Sequence, residues 1–160
     1  MSTDCFIAMD QVPGEAHDEE LAGAIEVFGW NWGASWRGDQ AAGSPRGVAD
    51  VRHFTFEHNV DTATAGLLSR CVTGLVIPNA TLTQRRAGGR LAQVFLEIKF
   101  KQVRIVDVSM VMSSASAGLA TQERVSFAFE SASLDYKPQS KSGADKSGRH
   151  NFSWQGVVNK

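Results

Sequence analysis

The stretch LAQVFLEIKFK, residues 91–101, decides the fold. Ala92, Val94, Leu96, Ile98 and Phe100 point one way, and Gln93, Glu97, Lys99 and Lys101 point the other. Apolar and polar residues that alternate with period two form a strand with one face on a core and one in water. Residues 103–112 repeat the pattern, with Val106, Val108, Met110 and Met112 against Asp107 and Ser109. Working outward, residues 24–36, AIEVFGWNWGASW, read as one strand: Phe28, Trp30 and Trp32 on a bulky face, Gly29, Asn31 and Gly33 on a small, polar one. The first face suits a core and the second suits water or a passing ligand. Residues 5–9 make a short first strand, and residues 51–59 resume the alternation with Phe54 and Phe56 on one face.

Residues 121–136 are too long for an ordinary strand, and their apolar face changes from Val125, Phe127 and Phe129 to Ala132, Leu134 and Tyr136. A bulge or bend that hands the strand from one sheet to another produces such a change of phase. Pro78, within residues 75–83, suits an edge or a bulge because it cannot donate to a ladder. Residues 152–158 close the chain as a last strand anchored by Trp154. Residues 61–73 form the one helix, with Asp61 or Thr62 as N-cap, Gly74 after its end, and Leu67, Leu68, Cys71 and Val72 as its apolar stripe. Between these elements lie a long Gly- and Ala-rich loop at 37–50, a basic turn at 84–90 and a small-residue turn at 113–120. A polar, flexible segment covers 137–150. About eight strands, one helix and no βαβ rhythm predict a mainly β fold: an antiparallel two-sheet β-barrel or sandwich with one lateral α-helix. Phe28, Trp30, Trp32, Phe54, Phe56, Phe127 and Phe129 are its expected structural core.

The chain has 160 residues and a formal net charge of −1, with 42% hydrophobic residues. That is a single domain, residues 1–160, with enough apolar content for a sizeable core. The balanced charge argues against a nucleic-acid partner. No run of about 20 apolar residues supports membrane insertion, and the N-terminal residues show no secretory signal pattern. Cys5 and Cys71 match no zinc or redox spacing and suit small core positions better than nucleophilic ones.

Catalytic chemistry finds little support. The histidines are His17, His53, His58 and His150, and no serine or cysteine sits in a nucleophile elbow. His53 and His58 lie five apart on one strand, so they face opposite sides and cannot share a metal through it. Asp18, Glu19 and Glu20 form a solvated charge run. Arg85, Arg86, Gly88 and Gly89 could cradle an anion, but they join two strands and lack a phosphate-loop motif, which favours a tight basic turn. No catalytic, metal or cofactor site is expected. What remains is a chain of surfaces suited to assembly.

Ordered along the chain, several segments resemble the haemolysin-coregulated protein family of the type VI secretion system. They begin with Phe6-Ile7, the Pro13-Gly14-Glu15 turn and His17-Asp18, followed by IEVFGWNWG at 25–33, with its two tryptophans one residue apart. A long loop then precedes Phe54-Thr55-Phe56, and Asp61 opens the helix. Leu82-Thr83 with RRAGG at 85–89, Val125 to Phe129, and Asp135-Tyr136-Lys137-Pro138-Gln139 complete the match. The turn at 113–120 departs from the family in holding Ser and Ala where more Gly is expected.

The resemblance implies a β-barrel that assembles as a homohexameric ring. Rings stack head to tail into a hollow tube, and a contractile sheath ejects the tube with a spike protein and effectors. It implies a chain made in the cytoplasm, secreted without a cleaved signal, and here a plain tube subunit without a toxin domain. On this basis Gly29, Asn31 and Gly33 are expected to line the lumen and meet cargo. Arg37, Asp39, Gln40, Ser44, Arg46 and Asp50 are expected to carry contacts between rings. The alternatives are a free ring that acts as an effector-binding chaperone or carrier, and a β-barrel enzyme with an unrecognised site.

Overall fold

The structure is a computed structural model, and it describes residues 3–38, 47–86, 93–115, 118–138 and 148–156. In chain order it contains β1 (Thr3–Met9), β2 (Ile25–Glu26), β3 (Gly29–Asn31), β4 (Ala34–Gly38), β5 (Gly47–Val51) and β6 (Phe54–Asn59). There follow α1 (Ala63–Thr73), β7 (Ile77–Arg86), β8 (Gln93–Ala115), β9 (Gly118–Ala128), β10 (Ser131–Tyr136) and β11 (His150–Gln155). All strand pairs are antiparallel. The main sheet runs β2-β1-β7-β8-β9-β6-β3, with β10 beside β8 and β11 beside β10. β4 and β5 pair only with each other. The mainly β, antiparallel architecture with one lateral helix is the one the alternation predicts.

β8 explains how one path of strands makes two layers. Its first half pairs with β7 and β10, and its second half pairs with β9. The two expected strands at 91–101 and 103–112 are therefore one. Gln102 at the junction has φ 54°, and the register slips again between Ile105 and Asp107, leaving Val106 unpaired. Each irregularity turns the side chains by one phase. Ile98, Phe100, Val103 and Ile105 consequently point into the core, and Val106, expected inside, is exposed at the second slip. Met110 and Met112, also expected inside, keep the inward phase of Val108 but are exposed because the β8–β9 ribbon runs past the core. The partner strand bends at the same level. β9 ends at Ala128 and β10 begins at Ser131, so residues 121–136 pass from one layer to the other as their change of face predicts.

The aromatic stretch is not one strand. Ile25 and Glu26 pair with β1, then Gly29 to Asn31 pair with β6 on the other layer. The alternation slips during the crossing: Ile25 and Val27 are buried, Phe28 is 52% exposed, and Trp30 and Trp32 pack half-buried against the core. Phe28 is thus not a core residue. Phe54, Phe56 and Phe127 are fully buried, and Phe129 packs on them half-buried. Trp30 stacks on Phe54 at 5.6 Å, and Trp32 meets Phe100 and Phe129 edge-on at 5.6 and 5.8 Å.

Further expectations are corrected. Residues 37–50 are not all loop, since Arg37 lies on β4 and Asp50 on β5, in a hairpin with Arg37 opposite Val48 and Ser35 opposite Asp50. Pro78 sits on an inner strand. It is tolerated there because β1 pairs with β7 only as far as Ala80, leaving one side of Pro78 without a ladder. Arg85 and Arg86 extend β7 and are not turn residues. Residues 113–115 and 118–120 are paired strand ends, not a turn. Asp39, Gln40, Ser44, Arg46, Gly88 and Gly89 lie outside the described residues, as do 139–147 of the polar segment.

α1 is built as its sequence dictates. The Asp61 carboxylate accepts the Ala63 N–H at 2.9 Å, and Gly74 ends the helix with φ 71°, donating to the Arg70 carbonyl. Leu67 is fully buried, but Val72 is 85% exposed, so the buried stripe is narrower than expected. Cys5 and Cys71 are half-buried free thiols; burial pushes the Cys5 thiol up to about 12, which removes its nucleophilic form at neutral pH.

Candidate assembly surfaces and the polar sheet face

Asn31 and Gly29 sit on β3 at the end of the layer formed by β8, β9, β6 and β3. The register runs their row across the sheet. Asn31 faces Thr55, Thr55 faces Ser126, and Ser126 faces Asp107. One step along, Gly29 faces Glu57, Glu57 faces Arg124, and Arg124 faces Ser109. Paired residues share a face, so these eight make one polar surface. The Thr55 and Ser126 hydroxyls are hydrogen-bonded at 2.8 Å. Arg124 donates through Nε and Nη2 to Glu57 Oε1 at 3.1 and 2.7 Å. Arg124 therefore neutralises Glu57, and Asp107 is the remaining charge among the eight.

Gly29, Trp30, Asn31, Thr55, Glu57 and Arg124 line an open depression of about 450 Å³ on this face. A Cβ on Gly29 would come within 3.3 Å of Glu57 Oε2, so glycine keeps the depression open. Gly33 does not join it. It lies at the base of the β4–β5 hairpin, where its carbonyl accepts the Arg52 N–H at 3.0 Å and the Arg52 side chain covers it.

The hairpin itself exposes apolar surface. Trp36 is 63% and Val48 72% exposed, although the Trp36 ring lies across Gly47, where no side chain would fit. A second ribbon behaves alike: β8 beyond Ser109 pairs only with β9, and Met110, Val111 and Met112 are all exposed. Apolar groups gathered on projecting elements mark contact surfaces.

Two buried polar clusters escape a linear reading. On the inward side of the same strands, His58 and Glu123 are register partners and fully buried, with Nε2 to Oε1 at 3.1 Å. His58 Nδ1 lies 3.8 Å from Asp61, whose carboxyl burial pushes up. The signal was present, since His58 follows Phe54 and Phe56, and Glu123 precedes Val125 and Phe127, at inward positions. Arg85 is the second case. It is buried, lies 5.1 Å over the Phe6 ring, and makes a two-pronged pair with Asp18. That pair pins the β1–β2 loop to β7. The Arg85 guanidinium holds the Asp18 carboxyl down to about 2.

Exposed apolar ribbons and a polar sheet face of small side chains are the surface features this antiparallel β fold presents. Comparison with known proteins gives the family. The family model described as "Type VI secretion system effector, Hcp" matches residues 6–136. The Protein hcp1 of Pseudomonas aeruginosa is 33% identical over 156 residues, covering 96% of this chain and 95% of its own. A solved type six secretion system protein superposes with a TM-score of 0.85 at 27% identity, covering 99% of each chain. Hcp1 from Salmonella typhimurium gives 0.77 at 27% identity over 100% of this chain and 99% of its own. A type VI secretion system effector from Yersinia pestis gives 0.75 at 30% identity over 95% of this chain and 99% of its own. The chain belongs to the Hcp family of type VI secretion proteins.

Proposed function

We propose that this chain is the structural subunit of a type VI secretion tube. Copies close into hexameric rings, rings stack head to tail, and the hollow tube is ejected with effectors. The observation that carries this reading is the pair of ribbons whose apolar side chains, Trp36 and Val48 on one and Met110 to Met112 on the other, stand exposed among the described residues. Such a surface is a liability in a monomer and suits an interface in an assembly.

The polar face supports a lumen. Small side chains, one acid–base pair and a single further carboxylate offer cargo hydrogen bonds without a strong field, so a protein binds weakly and slides. Gly29 and Asn31 belong to that face, with Thr55, Glu57 and Arg124 beside them. The β4–β5 hairpin, with Arg37 and Asp50, and the residues Asp39, Gln40, Ser44 and Arg46 that lie between its strands in sequence, take the contacts between rings. The partners are other copies of the chain, effectors, a spike protein and a contractile sheath; the chemistry is mechanical and needs no catalytic group or cofactor. The chain is made in the cytoplasm and leaves through the secretion system. Sedimentation and negative-stain electron microscopy of the purified chain test this. Annular particles of several copies are expected. A monomer at every concentration, with no annulus in the images, overturns it.

A further inference from the structure

The charge of −1 hides a strong polarity. The first 36 residues hold seven acidic residues and no lysine or arginine, so all 16 basic residues lie beyond them, against ten acids. The fold gathers the acidic part at one edge. β2 is the outer strand of its layer, and the loop from β1 to β2 runs beside it. Some of these carboxylates are already used: Asp18 by Arg85, Asp10 by the Asn79 amide at 2.9 Å, and Glu15 by the Thr62 N–H at 3.0 Å. Glu19, Glu20 and Glu26 are exposed and make no salt bridge among the described residues, although Glu20 lies in the field of Arg85.

The basic surplus lies elsewhere. Lys99 and Lys101 project from the solvent side of β8, and Arg104 follows beyond Gln102. Lys99 has only an exposed neighbour, Glu97, at 3.4 Å, and Lys101 and Arg104 have no carboxylate partner among the described residues. β1 and β7 separate β2 from β8, so Glu26 stands about 14 Å from this strip at the usual strand spacing. That exceeds the screening length of roughly 8 Å at physiological salt. Glu26 and the strip cannot neutralise each other within one chain.

We infer that the acidic β1–β2 edge of one copy docks on the basic β8 strip, Lys99, Lys101 and Arg104, of the next. The two surfaces differ and complement each other, so the contact is heterologous, the kind that repeats around a ring or along a stack. Opposed fields also steer the encounter and reject wrong orientations. The inference rests on the assembly reading and adds the surfaces that meet.

Charge reversal with rescue tests it. Glu19→Lys/Glu20→Lys and Lys99→Glu/Lys101→Glu are made separately, and assembly is followed by sedimentation against concentration, with circular dichroism to confirm the fold. Each variant alone is expected to need about tenfold more protein to assemble, because like charges then face each other. An equimolar mixture is expected to recover the wild-type concentration dependence, since each variant then meets its complement in the other. Wild-type assembly is expected to weaken as sodium chloride rises from about 0.05 to 0.5 M. Variants that assemble like wild type, or a mixture that shows no recovery, overturn the docking surfaces while the ring reading stands. A wild-type chain that never assembles overturns the reading beneath both. Should either double variant misfold, Glu26→Lys against Lys101→Glu repeats the mixing test with single changes.

Discussion

Removing one member of the His58–Glu123 pair should cost far more than removing both. His58→Phe leaves the Glu123 carboxylate fully buried, 1% exposed, with no imidazole to face. Breaking a buried pair on one side costs about 3–5 kcal/mol. At 2–4 °C per kcal/mol for a domain of this size, Tm falls by roughly 6–20 °C. Glu123→Leu alone leaves a buried imidazole whose Nδ1 still faces Asp61 at 3.8 Å, so its cost lies at the lower end of the same range, about 3 kcal/mol. The double variant puts two apolar groups beside Phe56, whose ring lies 5.6 Å from His58, and beside other buried apolar side chains. It should lie within about 2 kcal/mol of wild type, because no uncompensated charge remains. Urea unfolding followed by far-ultraviolet circular dichroism measures all four proteins. The protomer concentration is held fixed, since assembly itself adds stability. The reasoning fails if the single variants match wild type, or if the double variant loses the sum of the two single losses.

Trp32→Ala removes edge-on contacts with Phe100, Phe129 and Phe152 and an Nε1–H bond to the Arg52 carbonyl at 2.9 Å. It should cost about 3 kcal/mol in the same urea assay, the low end for tryptophan because the ring is only half-buried. Asp18, held down to about 2 by Arg85, stabilises the fold above its ordinary value of 3.8 and loses that contribution as pH falls through the interval between the two. Acid unfolding curves should show this slope in wild type and lack it in Asp18→Asn. Asn31→Arg places a long cationic side chain in a depression lined by small polar groups. Rings should persist in electron micrographs while effector retention and export drop, and unchanged export from intact rings speaks against a lumen position. Removing residues 39–46 should leave rings and abolish their stacking, which electron microscopy of tubes reads directly.

The sequence was legible where the pattern stayed in phase with one sheet. Residues 96–101 kept their alternation because their partners on β7 and β10 run unbroken beside them. The helix ends were legible because caps are local chemistry, a carboxylate two residues before an orphan N–H and a glycine at φ 71°. Phe28 and Val106 were misplaced because the chain slips phase as it crosses between layers or passes a bulge, and composition carries no mark of the slip. Met110 and Met112 stay in phase with Val108 but lie on a ribbon that runs past the core, and alternation does not mark where the core ends. The β4–β5 hairpin was missed because its Gly- and Ala-rich strands pair through backbone with no buried face to impose alternation. Gly29 and Asn31 were brought together by alternation alone, whereas Glu57 and Arg124, 67 residues apart, meet only through a register that no local pattern encodes.

That register deserves a physical cause, and the charges supply it. In β6 and β9, Glu57 faces Arg124 on the solvent side, and His58 faces Glu123 on the core side. Adjacent residues thus set an acid against a base on both faces of one strand pair. A slip of one residue would turn Phe54 and Phe56 or their partners toward water and place Glu57 opposite Glu123, two carboxylates with no cation between them. The apolar and ionic patterns therefore select the same alignment, by independent penalties. Because the outward row is continuous with Thr55, Ser126, Gly29 and Asn31, the buried His58–Glu123 pair fixes the geometry of the polar face from beneath. A surface repeated around a ring must be identical in every copy, and a sheet locked on both faces meets that requirement where a loop would not.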